Sequence, residues 1–68
     1  MEQVNILAEM ARHRYNKRTL CAELNKRGIK ISYDKLCRQL RGESEISVKE
    51  AFTLSDILHS KVEVLFNL

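Results

Sequence analysis

The side chains best able to do chemistry are gathered near the middle of the chain. Tyr33, Asp34, Lys35, Arg38 and Arg41 all carry hydrogen-bonding groups, and three of them are cationic. An arginine offers a planar fork of donors that suits paired acceptors, whereas a lysine acts as a mobile point charge. Residue types suited to other chemistries are scattered. Cys21, Cys37, His13 and His59 are the only cysteines and histidines. None of them forms a Cys-x2-Cys or His-x3-His pair, so no metal site is expected. Both cysteines are expected to pack as small apolar side chains, and a disulfide is not expected in a reducing cytoplasm. No nucleophile or phosphate-cradling motif is present, and a domain this small has little room for a closed pocket. An enzyme is therefore not expected, nor is a cofactor or small-molecule ligand.

Charge is distributed unevenly around this cluster. The net charge is +3, but the segment from Arg12 to Arg41 holds ten Lys and Arg against two acids, Glu23 and Asp34, a local balance of +8. The flanks carry −2 before it and −3 after it. A basic patch confined to one segment is the electrostatic footprint of a polyanion binder, although the same residues also serve a solvated helical surface.

The elements that must hold this patch are read from periodicity and punctuation. At 68 residues the chain forms one domain, residues 1–68, and would bury only about 60% of the surface its unfolded form exposes. An apolar fraction of 44% suits a folded domain, and there is no proline. No apolar run approaches the ~18 residues that span a bilayer, and Met1 is not followed by a signal pattern; a soluble cytoplasmic protein is expected. Val4, Leu7, Met10 and Ala11, with Ile6 beside them, predict a first helix over roughly Val4 to His13. Asn16 then caps a second helix, Lys17 to about Arg27, which buries Leu20, Cys21 and Leu24; Gly28 stops it. Ile29 and Ile31 tuck under the neighbouring helices.

Ser32 caps a third helix, Tyr33 to Arg41, with Leu36 and Leu40 on its inner face and Gly42 as its stop. Ser47, with Glu50 three residues on, has the pattern of a capping box. The fourth helix lines its inner face with Val48, Ala51, Phe52, Ser55 and Leu58, with Leu54 and Ile57 adjacent. After a turn at His59-Ser60, Val62, Leu65 and Phe66 fit a short helix. Val62, Val64, Phe66 and Leu68 fit a strand at period two; the helix is favoured. The fold class is all-α, with four to five short helices.

The second and third helices suit a helix-turn-helix, which lays its second helix in the major groove of duplex DNA and its first across the backbone. The stretch Ile31-Ser32-Tyr33-x-x-Leu36-x-Arg38-x-Leu40-x-Gly42, followed by Glu43-Ser44-Glu45-Ile46-Ser47, resembles the recognition helix and following loop of phage Cro and lambda-repressor-like proteins. Leu7 to Arg12 resembles that family's first helix, Leu20-Cys21-x-x-Leu24 its second, and Leu58 to Phe66 its fifth. The resemblance spans roughly Val4 to Phe66. Two departures stand out. Asn25 to Lys30 enlarges the turn between helices two and three, and Asp34 lies where the family more often has Gln, Ser or Arg.

The resemblance implies that Tyr33, Asp34 and Arg38 face base edges. It implies that Ser32, Lys35 and Arg41 lie near the DNA backbone, and that Asn16 and Lys17 clamp it at the start of helix two. The chemistry of Arg38 agrees, since its fork can pair with guanine O6 and N7. Asp34 could accept from cytosine N4 or repel phosphate, and Tyr33 could instead be half-buried against helix two. The function expected is sequence-specific binding of double-stranded DNA by a homodimeric regulator, a Cro-like protein or short repressor of a phage or mobile element. The alternative is a protein-interaction module of the same fold, an antirepressor or partner of another regulator, using the apolar tail.

Overall fold

Five helices and no strand make up the regular structure of residues 2–66, the part of the chain that the computed structural model describes. They are α1 (Val4–Arg12), α2 (Lys17–Lys26), α3 (Tyr33–Leu40), α4 (Val48–Leu58) and α5 (Val62–Leu65). The protein is thus all-α, and residues 62–65 take the helical option. Leu68, the last position of the period-two pattern, lies outside the described residues. Among the described residues no helix is long and apolar enough to cross a membrane.

Helix starts follow side-chain chemistry. Asn16 Oδ1 accepts from Thr19 N–H at 2.8 Å, and Asn16 N–H donates back to Thr19 Oγ1 at 2.9 Å, a reciprocal cap. Ser32 Oγ accepts from Lys35 N–H at 3.1 Å, and Ser47 Oγ accepts from Glu50 N–H at 3.2 Å. The Glu50 half of the capping-box pattern differs from expectation: its carboxylate accepts from the Ser47 hydroxyl at 3.3 Å.

Helix ends follow backbone chemistry. His13, Arg27 and Arg41, expected as last helical residues, stand one position further on as C-caps. After α2, Gly28 at φ +93° lets its own N–H reach Asn25 O and the Ile29 N–H reach Leu24 O. That pair of bonds satisfies two carbonyls of the last turn and buries Ile29 under the helix. Gly42, at φ +79°, closes α3 in the same way. Arg14 (φ 61°) and His59 (φ 51°) occupy this left-handed position after α1 and α4.

The core joins all five helices and the α2–α3 connection: Ile6, Met10, Leu20, Leu24, Ile29, Ile31, Leu36, Leu40, Leu54, Ile57, Leu58 and Leu65 are buried. The expected inner faces of α1 and α4 need correction. Ile6 and Met10 point inward from α1, with Leu7 half-buried, while Val4 and Ala11 are exposed. On α4 the inward residues are Leu54, Ile57 and Leu58, whereas Val48 and Phe52 are 73% and 59% exposed. Each of these helices is apolar over more than half its circumference. The choice of buried stripe falls to how α5 and α2 dock on it, since α1 packs on α5 and α4 packs on both.

Candidate nucleic-acid interface

The third helix is held firmly from behind. Leu36 and Leu40 are buried in the core, Cys37 is buried beside them, and Gln39 is fully buried. Gln39 Nε2 donates to Glu45 O at 2.9 Å, which ties the loop after α3 back onto the helix. At the other end, Asn25 Nδ2 donates to both Cys21 O (2.8 Å) and Ile31 O (3.0 Å). Asn25 thereby pins residues 27–32, the long connection, against α2. Gln3 N–H donates to Leu40 O at 2.8 Å, so α1 is anchored to the last turn of α3. Each bond removes a freedom that would blur the aim of the outward side chains.

At about 100° per residue, those outward side chains sort into three strips. Asp34, Arg38 and Arg41 fall within an arc of about 60° opposite the buried leucines. Lys35 lies on one flank, and Tyr33 stands in the first turn in line with the buried Cys37 and Leu40, exposed because the helix starts there. All five are exposed, as is Ser32. The central strip is internally paired: Arg38 Nη2 lies 2.8 Å from Asp34 Oδ2 one turn earlier. Asp34 is 77% exposed and Arg38 53%, so both keep a free edge toward solvent. Arg41 binds Glu43 through Nε at 3.0 Å, and that carboxylate raises the guanidinium pKa above its ordinary value. Of the three cations on this helix, Lys35 alone has no ion pair among the described residues.

Tyr33 sits apart from Asp34 and Arg38, on the side facing α2. Its ring lies under the guanidinium of Arg18, 4.8 Å from the centroid. The neighbouring Cys37 side chain, one turn on, raises the pKa of the phenol above its ordinary value. Tyr33 is 40% exposed and stands partly covered against α2 by the Arg18 side chain, as the alternative reading of it expects. Arg18 is the residue that sequence reasoning missed. Its position near the start of α2 gave no hint of Tyr33, because the contact exists only once α2 and α3 pack.

The two residues expected at the start of α2 differ in their freedom. Asn16 is exposed, but its side-chain oxygen is committed to the Thr19 cap. Lys17 is half-buried. His13 and His59, far apart in sequence, come to a ring-centroid distance of 5.6 Å beside Glu9. Among the described residues no group of three or more His, Cys, Asp or Glu side chains is placed to hold a metal ion.

A second surface feature lies away from the basic patch. An open groove of about 680 Å³ runs between the Gly42–Ile46 loop, the first half of α4 and α5. Val48, Phe52, Val62 and Phe66 supply its apolar lining, with Glu43 and Glu45 on the loop side. No protein-family model, curated protein or solved structure matches this chain.

Proposed function

We propose that this protein is a lambda-repressor-like helix-turn-helix regulator that binds double-stranded DNA by sequence, with α3 in the major groove. The observation that carries the proposal is the division of α3 into two faces. Its buried positions are Leu36, Cys37, Gln39 and Leu40, and its exposed side chains, with Arg41 just beyond, are Tyr33, Asp34, Lys35 and Arg38. Every exposed member can bond a base edge or a phosphate, and none is aliphatic. Support also comes from the capped start of α3, where Ser32 and free backbone N–H groups can meet a phosphate. The Arg18–Tyr33 stack adds a cation where the two helices meet.

On this reading the chain would act as a homodimer by occupying a site, its two half-sites about 34 Å apart. The test is binding to duplexes selected from a random library, followed across salt. Affinity should fall steeply from about 50 to 200 mM salt, with a log–log slope of about −0.9 per phosphate neutralised. Arg38→Ala should relax base choice as well as weaken binding, while Lys17→Ala should weaken every duplex alike. Failure to retain any duplex at low salt would sink the proposal.

The second proposal is a protein-interaction module of the same fold. The groove favours it, because Val48 and Phe52 stand one turn apart and more than half exposed. Such a surface is a common mark of a protein contact. A flat salt response without duplex binding would point there.

A further inference from the structure

Resting on the DNA-binding proposal, we infer that Asp34 and Arg38 form one preassembled reading unit that selects guanine next to a base, cytosine or adenine, that offers its own amino group to Asp34 in the major groove. The two side chains are joined before any DNA arrives, Arg38 Nη2 to Asp34 Oδ2 at 2.8 Å. They sit one helical turn apart with the acid toward the N-terminus, the orientation that a helix favours.

The pairing leaves both groups with capacity to spare. A guanidinium has five N–H donors, and the contact with Asp34 takes one. The remaining donors can still make the two-point bond to guanine O6 and N7. The carboxylate keeps its second oxygen, and its 77% exposure leaves that oxygen open to a neighbouring base. An ionised carboxylate can only accept. It therefore suits cytosine N4 or adenine N6, and it opposes thymine O4 and guanine O6 and N7.

The acid thus has two effects. It steadies the long Arg38 side chain in one arc, so less conformational freedom is lost when guanine is bound. It also rejects neighbours that present only acceptors, and makes contact with unselected phosphates unfavourable, which is specificity by exclusion. A lone Arg38 would read guanine without regard to the next base pair. Asp34 is not replaceable in this role by Lys35, which lies on the flank of the helix and can only donate.

The experiment compares the full chain with Asp34→Ala, Asp34→Asn and Arg38→Ala. Each is used to select duplexes from a random library, and selected duplexes are then titrated by fluorescence anisotropy. Both positions are exposed, and circular dichroism verifies folding. Wild type should require guanine beside cytosine or adenine and reject thymine or guanine at that neighbour by about 10- to 100-fold, the range for a good base contact. Asp34→Ala should retain some guanine preference, lose the neighbour preference, and bind unselected DNA more tightly than wild type. Asp34→Asn, which donates as well as accepts, should shift the neighbour toward adenine. Unchanged preferences in Asp34→Ala would overturn the inference while leaving the DNA-binding proposal intact. Absence of duplex binding by all four proteins would overturn both.

Discussion

Asn16 offers a clean separation between a structural and a DNA-contacting role. In the structure its side-chain oxygen accepts from Thr19 N–H and so caps α2, and its own N–H donates to Thr19 Oγ1. Asn16→Ala removes the cap and should cost about 1 kcal/mol, within a range of about 0.5–2. The unfolding entropy of a domain is about 2.1 cal/mol/K per residue near 60 °C, which for 68 residues is roughly 0.14 kcal/mol/K. The melting temperature should therefore fall by about 7 °C, a shift that a calorimetric or circular-dichroism melt resolves easily. Asn16→Ser retains an oxygen that can cap but loses the side-chain amide, so its melting temperature should stay within about 2 °C of wild type. If the amide also contacts phosphate, Asn16→Ser should weaken binding to every duplex although the fold is intact. An Asn16→Ala protein that melts with wild type would show that the cap does not hold α2, and the reasoning fails at its first step.

Leu36→Ala should destabilise by about 2–5 kcal/mol, since the side chain is almost fully buried at the back of α3. For so small a domain that approaches total stability, and chemical denaturation should show partial unfolding in buffer. Gly28→Ala meets no atom within 4 Å of the added methyl, so only the φ of +93° opposes it. The expected net cost is about 1 kcal/mol, and a loss near 4 would mean that crowding was overlooked. Asn25→Ala should cost about 1 kcal/mol by freeing the 27–32 connection, and should increase amide hydrogen exchange at the start of α3 more than in α5. The phenol pKa of Tyr33 is raised chiefly by the Cys37 side chain, so Cys37→Ala should bring phenolate absorbance to lower pH. Because the folded pKa is the higher one, this interaction contributes below the unfolded value of about 10 and is lost as pH rises through the folded value.

Much of the fold was legible because its punctuation is local. Asn16, Ser32 and Ser47 cap helices through their own side chains, and Gly28 and Gly42 adopt left-handed backbone that other residues avoid. Arg14 and His59 do the same without the residue type that advertises it, and those ends were placed from the break in apolar spacing instead. The inward stripes of α1 and α4 were misjudged for a different reason. Val4 and Val48 extend apolar patterns that also contain Ile6 and Leu54, and periodicity alone cannot rank two overlapping faces. Gln39 was invisible as a buried residue because its partner is a carbonyl in the next loop. The charged side chains on α3 were identifiable by type. Their partners were not: Arg18 meets Tyr33 across two helices, and Glu43 reaches Arg41 only after the chain reverses at Gly42.

The carboxylates of Asp34 and Glu43 act as resident counterions. Arg38 and Arg41 already have an anion at about 3 Å, so less of the mobile salt atmosphere gathers around them in the free protein. On a duplex Arg38 would keep Asp34 while it pairs with guanine and so neutralise no phosphate, and Arg41 would exchange Glu43 for a phosphate. The number of ions released on binding would then fall short of the number of arginines and lysines at the interface, and a titration against salt would count mainly Lys17, Lys35 and Arg18.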